Sequence, residues 1–115
     1  LIAMMLCACQ AADLQSGPAD REQVALGREA AERLGCGACH ILPGIDWPQG
    51  KVGPDLHGFA DRAMIAGQLP NKPEILTRFV RDAPSLTPGT AMPAVPMEDG
   101  EARAIAAWLR SLHAS

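Results

Sequence analysis

Apolar residues recur at helical spacing in three stretches of this chain. In the first, Val24, Ala30, Ala31 and Leu34 keep to one face. Asp20 followed by Gln23 has the form of a capping box, so a helix is expected from Asp20 until Gly35, a residue able to take the left-handed conformation that ends a helix. The second stretch, "NKPEILTRFVRDAP", puts Ile75, Leu76, Phe79 and Val80 on one side, opens with Asn71 and Glu74 as another capping pair, and is stopped by Pro84. The third runs from about Met97 to Leu112, with Ala102, Ile105, Ala106 and Leu109 at i, i+3, i+4 and i+7 and Trp108 and Leu112 alongside. From Ile41 to about Phe59 the chain carries three Pro and four Gly, which reads as loop; a short helical turn is expected around residues 60 to 66. "SLTPGTAMPAVP" is again loop. With no alternating apolar run of strand length and no internal repeat, the pattern predicts an all-α fold with long, ordered loops.

Composition adds a constraint. The 115 residues suit one domain, and 48% are apolar, yet only two Phe, two Trp and no Tyr contribute. A core built mostly from Ala, Leu and Ile is thin without a staple or a bulky prosthetic group. Net charge is −3 and lysine occurs only at Lys51 and Lys72, so no basic stripe exists to neutralise a phosphate backbone, which argues against nucleic acid as a partner. Residues 1–8 differ from everything after them: they carry no charge and look like a trimmed export signal, too short to span a bilayer. Leu6-Cys7-Ala8-Cys9 resembles the bacterial lipobox, which implies lipidation of Cys9; the alternative is ordinary cleavage near Ala8 or Ala11 and a soluble product. Residues 9–19 then read as a flexible tether and 20–115 as the folded domain. Either route predicts the bacterial periplasmic space, where cysteine chemistry is oxidising, with the lipid anchor placing the domain at a membrane.

Residues 36–40, "CGACH", carry the chemistry. Three uses compete: a thiol–disulfide switch, half a zinc site, or covalent attachment of haem. Cys-x-x-Cys followed at once by His is the signature of c-type haem attachment, the thiols adding to the haem vinyl groups while the adjacent His offers a nitrogen to iron. A thioredoxin-like switch needs a βαβ setting, and a Cys₂His₂ zinc site needs a His pair, whereas His57 and His113 stand apart in sequence.

Four blocks in order, "CGACH", "VGPDLHGFADR", "PGTAMP" and "IAAWLRSL", resemble the small class I c-type cytochromes over residues 20 to 113. The resemblance implies the class I cytochrome c fold, with helices around one covalent haem c. Carried over residue by residue, it makes Cys36 and Cys39 the thioether anchors and His40 the proximal iron ligand. It makes the Pro54 carbonyl the acceptor for the other ring nitrogen of His40, and places Arg62 and Thr90 near the haem propionates. It also makes Met92 the distal ligand, with Met97 as the alternative; Met4 and Met5 lie in the export segment and Met64 precedes the helix that must line the pocket. Gly27 and Trp108 match the crossing of first and last helices, but Ala31 stands where the family usually has a large aromatic.

Iron held by His40 and Met92 has no open position for a substrate, so the resemblance implies a one-electron carrier rather than an enzyme, with no small-molecule substrate. Its partners are redox proteins, expected to be a membrane respiratory complex such as a terminal oxidase or quinol-oxidising complex. A labile Met92 would instead make the protein a gas sensor or peroxidase. Near-absence of lysine argues against a lysine-rich docking face, though eight Arg could still cluster.

Overall fold

The computed structural model describes residues 17–114; Cys9, residues 1–8 and most of the expected tether lie outside them. Four α-helices follow in order: α1 (Pro18–Arg33), α2 (Pro73–Arg81), α3 (Ala83–Leu86) and α4 (Asp99–Leu109). Single 3₁₀ turns occur at Cys36–Ala38 and Phe59–Asp61, and a two-stranded antiparallel hairpin pairs β1 (Met64–Ile65) with β2 (Leu69–Pro70). Helix α1 packs most extensively on α4, and α2 packs on α4 as well.

The helix faces read from periodicity are the buried ones. Ala30 and Ala31 of α1, Leu76 and Val80 of α2, and Ala102, Ile105, Ala106, Trp108 and Leu109 of α4 belong to one apolar cluster, completed by Leu42, Ile45, Leu56, Phe59 and Ile65 from the loops and hairpin. At the α1–α4 crossing, a Cβ on Gly27 would run into the Ala104 carbonyl and stand 2.9 Å from the Trp108 Cβ, so only glycine permits this approach. Ala31 is fully buried there.

The helix ends depart from the sequence reading. Helix α1 begins at Pro18 rather than Asp20: Asp20 sits one turn in, and its carboxylate accepts the Gly17 N–H at 3.1 Å. A carboxylate serves an exposed N–H from either the cap or the third helical position, and Pro at the first position fits the start. Asn71 does not cap α2, whose N-cap is Lys72; its side chain instead donates to the Arg62 carbonyl at 2.9 Å. After α2 stops at Arg81, Pro84 lies within the first turn of the short α3, where its missing N–H costs nothing. Helix α4 is shorter than expected because Glu98 caps it, its N–H bonded to the Glu101 carboxylate at 3.0 Å.

The turn expected around residues 60 to 66 is replaced by the Phe59–Asp61 3₁₀ turn and the hairpin. Gln68 N–H closes that hairpin onto the Ile65 carbonyl at 3.0 Å, with Ala66 and Gly67 both at positive φ.

Candidate functional site

Gly35, at φ 81°, ends α1 and turns the chain directly into the Cys36–Ala38 turn. The His40 N–H returns to the Cys36 carbonyl at 3.1 Å, so Cys36, Cys39 and His40 leave one tight turn. Both thiols are free. Burial pushes the Cys36 thiol up from its ordinary value, an effect opposed by a backbone hydrogen bond and reinforced by Cys39.

The loop after His40 folds back over this turn. Gly50 N–H donates to the Gly37 carbonyl at 2.8 Å, Gly53 N–H to the Cys39 carbonyl at 2.7 Å, and Leu56 N–H to the Ile41 carbonyl at 3.0 Å. The loop thereby delivers the Pro54 carbonyl, which accepts the His40 Nδ1–H at 2.8 Å. That bond assigns the proton to Nδ1 and leaves the lone pair on Nε2. Gly53 lies flat against the imidazole: a Cβ there would stand 2.7 Å from Nδ1. In "VGPDL" the resemblance gives a role to Pro54 alone; the glycine immediately before it is the available signal for this contact.

Arg62 reaches the same loop. It donates to the Asp55 carbonyl at 2.6 Å, and its guanidinium carbon lies 5.7 Å from the Phe59 ring centroid. Asp55 in turn accepts both the backbone N–H of His57 at 2.9 Å and its ring Nδ1–H at 2.7 Å, contacts that hold its carboxyl below the usual carboxylate range.

Thr90 and Met92 sit together on a separate loop between α3 and α4. The Thr90 hydroxyl accepts the Met92 backbone N–H at 3.2 Å. Thr90 N–H is anchored to the carbonyl of buried Thr87 at 3.1 Å, and further on Val95 N–H is anchored to Arg81 at 2.9 Å. Met97 packs against the apolar cluster, whereas Met92 is half-buried outside it.

A groove of about 900 Å³ lies at the C-terminal end of α1 against α2, α3, the methionine loop and the start of α4. Three of the eight arginines, Arg33, Arg78 and Arg81, line it. Arg33 is paired with Glu101 at 2.5 Å, Arg81 with Asp99, and Asp82 and Glu98 add further negative charge. The arginines do cluster, but they build no net basic face.

The donors present fit a covalently attached iron porphyrin: two free thiols and one oriented imidazole leave a single turn, with Nε2 uncommitted. A family profile described as Cytochrome c matches residues 24–113. Cytochrome c oxidase subunit 2 of Alkalihalophilus pseudofirmus is 39% identical over 87 residues, covering 75% of this chain and 25% of that protein. Cytochrome c oxidase subunit 2 of Bacillus sp. strain PS3 is 35% identical over 77 residues, covering 65% of this chain and 22% of the relative. The chain thus spans about a quarter of the length of the curated relatives it matches.

Proposed function

The chain belongs to the cytochrome c family, whose haem c is bound covalently, and from that premise we propose that this domain is a one-electron carrier held ready by His40 and Met92 as iron ligands. Cys36 and Cys39 anchor the porphyrin, and Thr90 and Arg62 serve its propionates. When bound, the group supplies reversible one-electron iron chemistry. The chain's own residues determine how that chemistry is used.

The observation that carries the reading is the fixed imidazole. With Nδ1–H given to Pro54 and Gly53 against the ring, His40 offers one nitrogen in one orientation. A thioether from Met92 favours the ferrous state relative to a second imidazole. The Thr90 hydroxyl restrains the Met92 backbone and supports a filled distal position. Both positions occupied leave nothing for a substrate, so the domain transfers electrons and does not itself catalyse a reaction. Apolar bulk from the porphyrin also completes a core poor in aromatic residues.

Two relatives are subunits of cytochrome c oxidase, which supports a place in respiratory electron flow, as the carrier or cytochrome subunit of a terminal oxidase or quinol-oxidising complex. Lipidation of Cys9 would hold the domain on the periplasmic side of a membrane and raise its effective concentration for such a partner. No helix among the described residues is long and apolar enough to cross a membrane.

The test is the visible spectrum of the exported, haem-loaded protein in both oxidation states, with carbon monoxide added to the reduced sample. A c-type ferrous spectrum unchanged by carbon monoxide is expected. Rapid carbon monoxide binding would replace the carrier with a gas sensor or peroxidase.

A further inference from the structure

Away from CGACH, the C-terminus closes a second group of donors. His57 and His113, 56 residues apart in sequence, border one pocket of about 400 Å³ with Pro43, Gly58, Leu112 and Ala114. The pocket exists because residues 112–114 are tied down: Ala60 N–H donates to the Leu112 carbonyl at 3.0 Å, and Gly58 packs on Ala114.

Each imidazole is oriented by its own carboxylate. His57 Nδ1–H donates to Asp55 at 2.7 Å, and His113 Nδ1–H donates to Asp61 at 2.8 Å. The carboxylates are themselves held, Asp55 by the His57 backbone N–H at 2.9 Å and Asp61 by the Ala114 N–H at 2.7 Å. Both rings therefore keep a free lone pair on Nε2. A carboxylate behind an imidazole is the arrangement that orients histidine for a metal.

We propose that His57 and His113 together bind a divalent late-transition-metal ion through their Nε2 atoms, copper(II) most tightly. Imidazole donors suit copper and zinc, and among divalent first-row ions affinity peaks at copper. With two protein donors, water would complete the coordination; among the described residues no set of three or more His, Cys, Asp and Glu is grouped to hold a metal. Bridging the rings would clamp the chain end to the segment that follows Pro54, the partner of His40. This site does not depend on the identity of the distal iron ligand.

The full, haem-loaded, oxidised protein is suited to the test. The chain has three histidines, and once His40 is committed to iron, His57 and His113 are the free imidazoles. Copper(II) titration followed by electron paramagnetic resonance should show one equivalent bound with hyperfine structure from two nitrogens, together with a rise in Tm that a chelator reverses. His57→Gln and His113→Gln should each weaken binding at least tenfold and reduce the pattern to one nitrogen. Asp61→Asn should weaken it severalfold while leaving the haem spectrum unchanged. No stoichiometric uptake, a one-nitrogen spectrum in the unaltered protein, or uptake undiminished in the double His→Gln variant would each overturn the proposal.

Discussion

The two loops proposed to hold the iron are built differently. The loop that follows His40 is stitched back by three backbone hydrogen bonds, from Gly50 and Gly53 to the Cys36–Cys39 turn and from Leu56 to Ile41, and it grips the His40 side chain itself through Pro54 and Gly53. The Met92 loop is held at its two ends, by Thr87 and Arg81, and in between by the Thr90 hydroxyl on the Met92 backbone; no described hydrogen bond restrains the Met92 side chain. The His40 side chain is thus fixed by the protein itself, while under the proposed ligation the Met92 side chain would depend on its bond to iron. Local opening should begin at the loop with fewer internal contacts.

That contrast can be broken most severely at Gly53. Gly53→Ala drives a methyl into the His40 ring, and overpacking of this kind costs about 1–3 kcal/mol. A lowered Tm and a disturbed haem spectrum are expected, whereas Pro54→Ala, which keeps the accepting carbonyl, should retain the spectrum. An unperturbed Gly53→Ala protein would show that the histidine side is looser than described.

On the other side, the two methionines should separate cleanly. Met92→Ala should open the iron to carbon monoxide and lower the reduction potential with little loss of fold stability. Met97→Ala, which removes a side chain packed on the core, should cost about 2 kcal/mol in denaturant melts and leave the ligand spectrum intact. The opposite pairing of effects would move the ligand to Met97.

A smaller effect comes from acid. The Asp55 carboxyl is held low chiefly by the His57 backbone N–H, Asp61 chiefly by the His113 ring, and Glu101 chiefly by the Glu98 N–H and then by Arg33. Groups with depressed folded pKa values stabilise fully above the unfolded carboxylate range, about 4, and lose that contribution as pH falls through their folded values. The Tm should therefore fall below about pH 4, and Asp61→Asn should blunt the fall. An Asp61→Asn protein with the same acid slope would remove Asp61 from the account.

The smallest change lies in the hairpin, remote from this contrast. Ala66 holds φ 52°, a conformation that disfavours any Cβ. Ala66→Gly should raise stability by up to about 1 kcal/mol in equilibrium denaturation, after the entropic penalty of glycine, with no spectral change.

What the sequence disclosed follows from how local each signal is. The buried faces of α1, α2 and α4 were legible because a period of 3.6 residues is written along the chain itself, whereas the Gly27–Trp108 crossing was legible only through the resemblance to the class I cytochromes. Helix starts were less legible. Asp20 and Asn71 are competent caps, but Asp20 works from inside the first turn, and Asn71 is drawn away by the Arg62 carbonyl. Two-residue strands carry no alternation to detect. Within the site, Cys36, Cys39 and His40 announce themselves by spacing. The role of Gly53 and the pairing of His113 with Asp61 depend on contacts 13 and 52 residues apart, which no local pattern encodes.

The central claim is that Met92 occupies the distal position opposite His40. Proton NMR of the reduced, haem-loaded protein tests it directly, because a methionine methyl bound to iron lies over the porphyrin and is shifted far upfield. The account predicts one such methyl resonance in the unaltered protein and in Met97→Leu, and its loss in Met92→Leu. Its persistence in Met92→Leu, or its absence from the unaltered protein, would contradict the assignment.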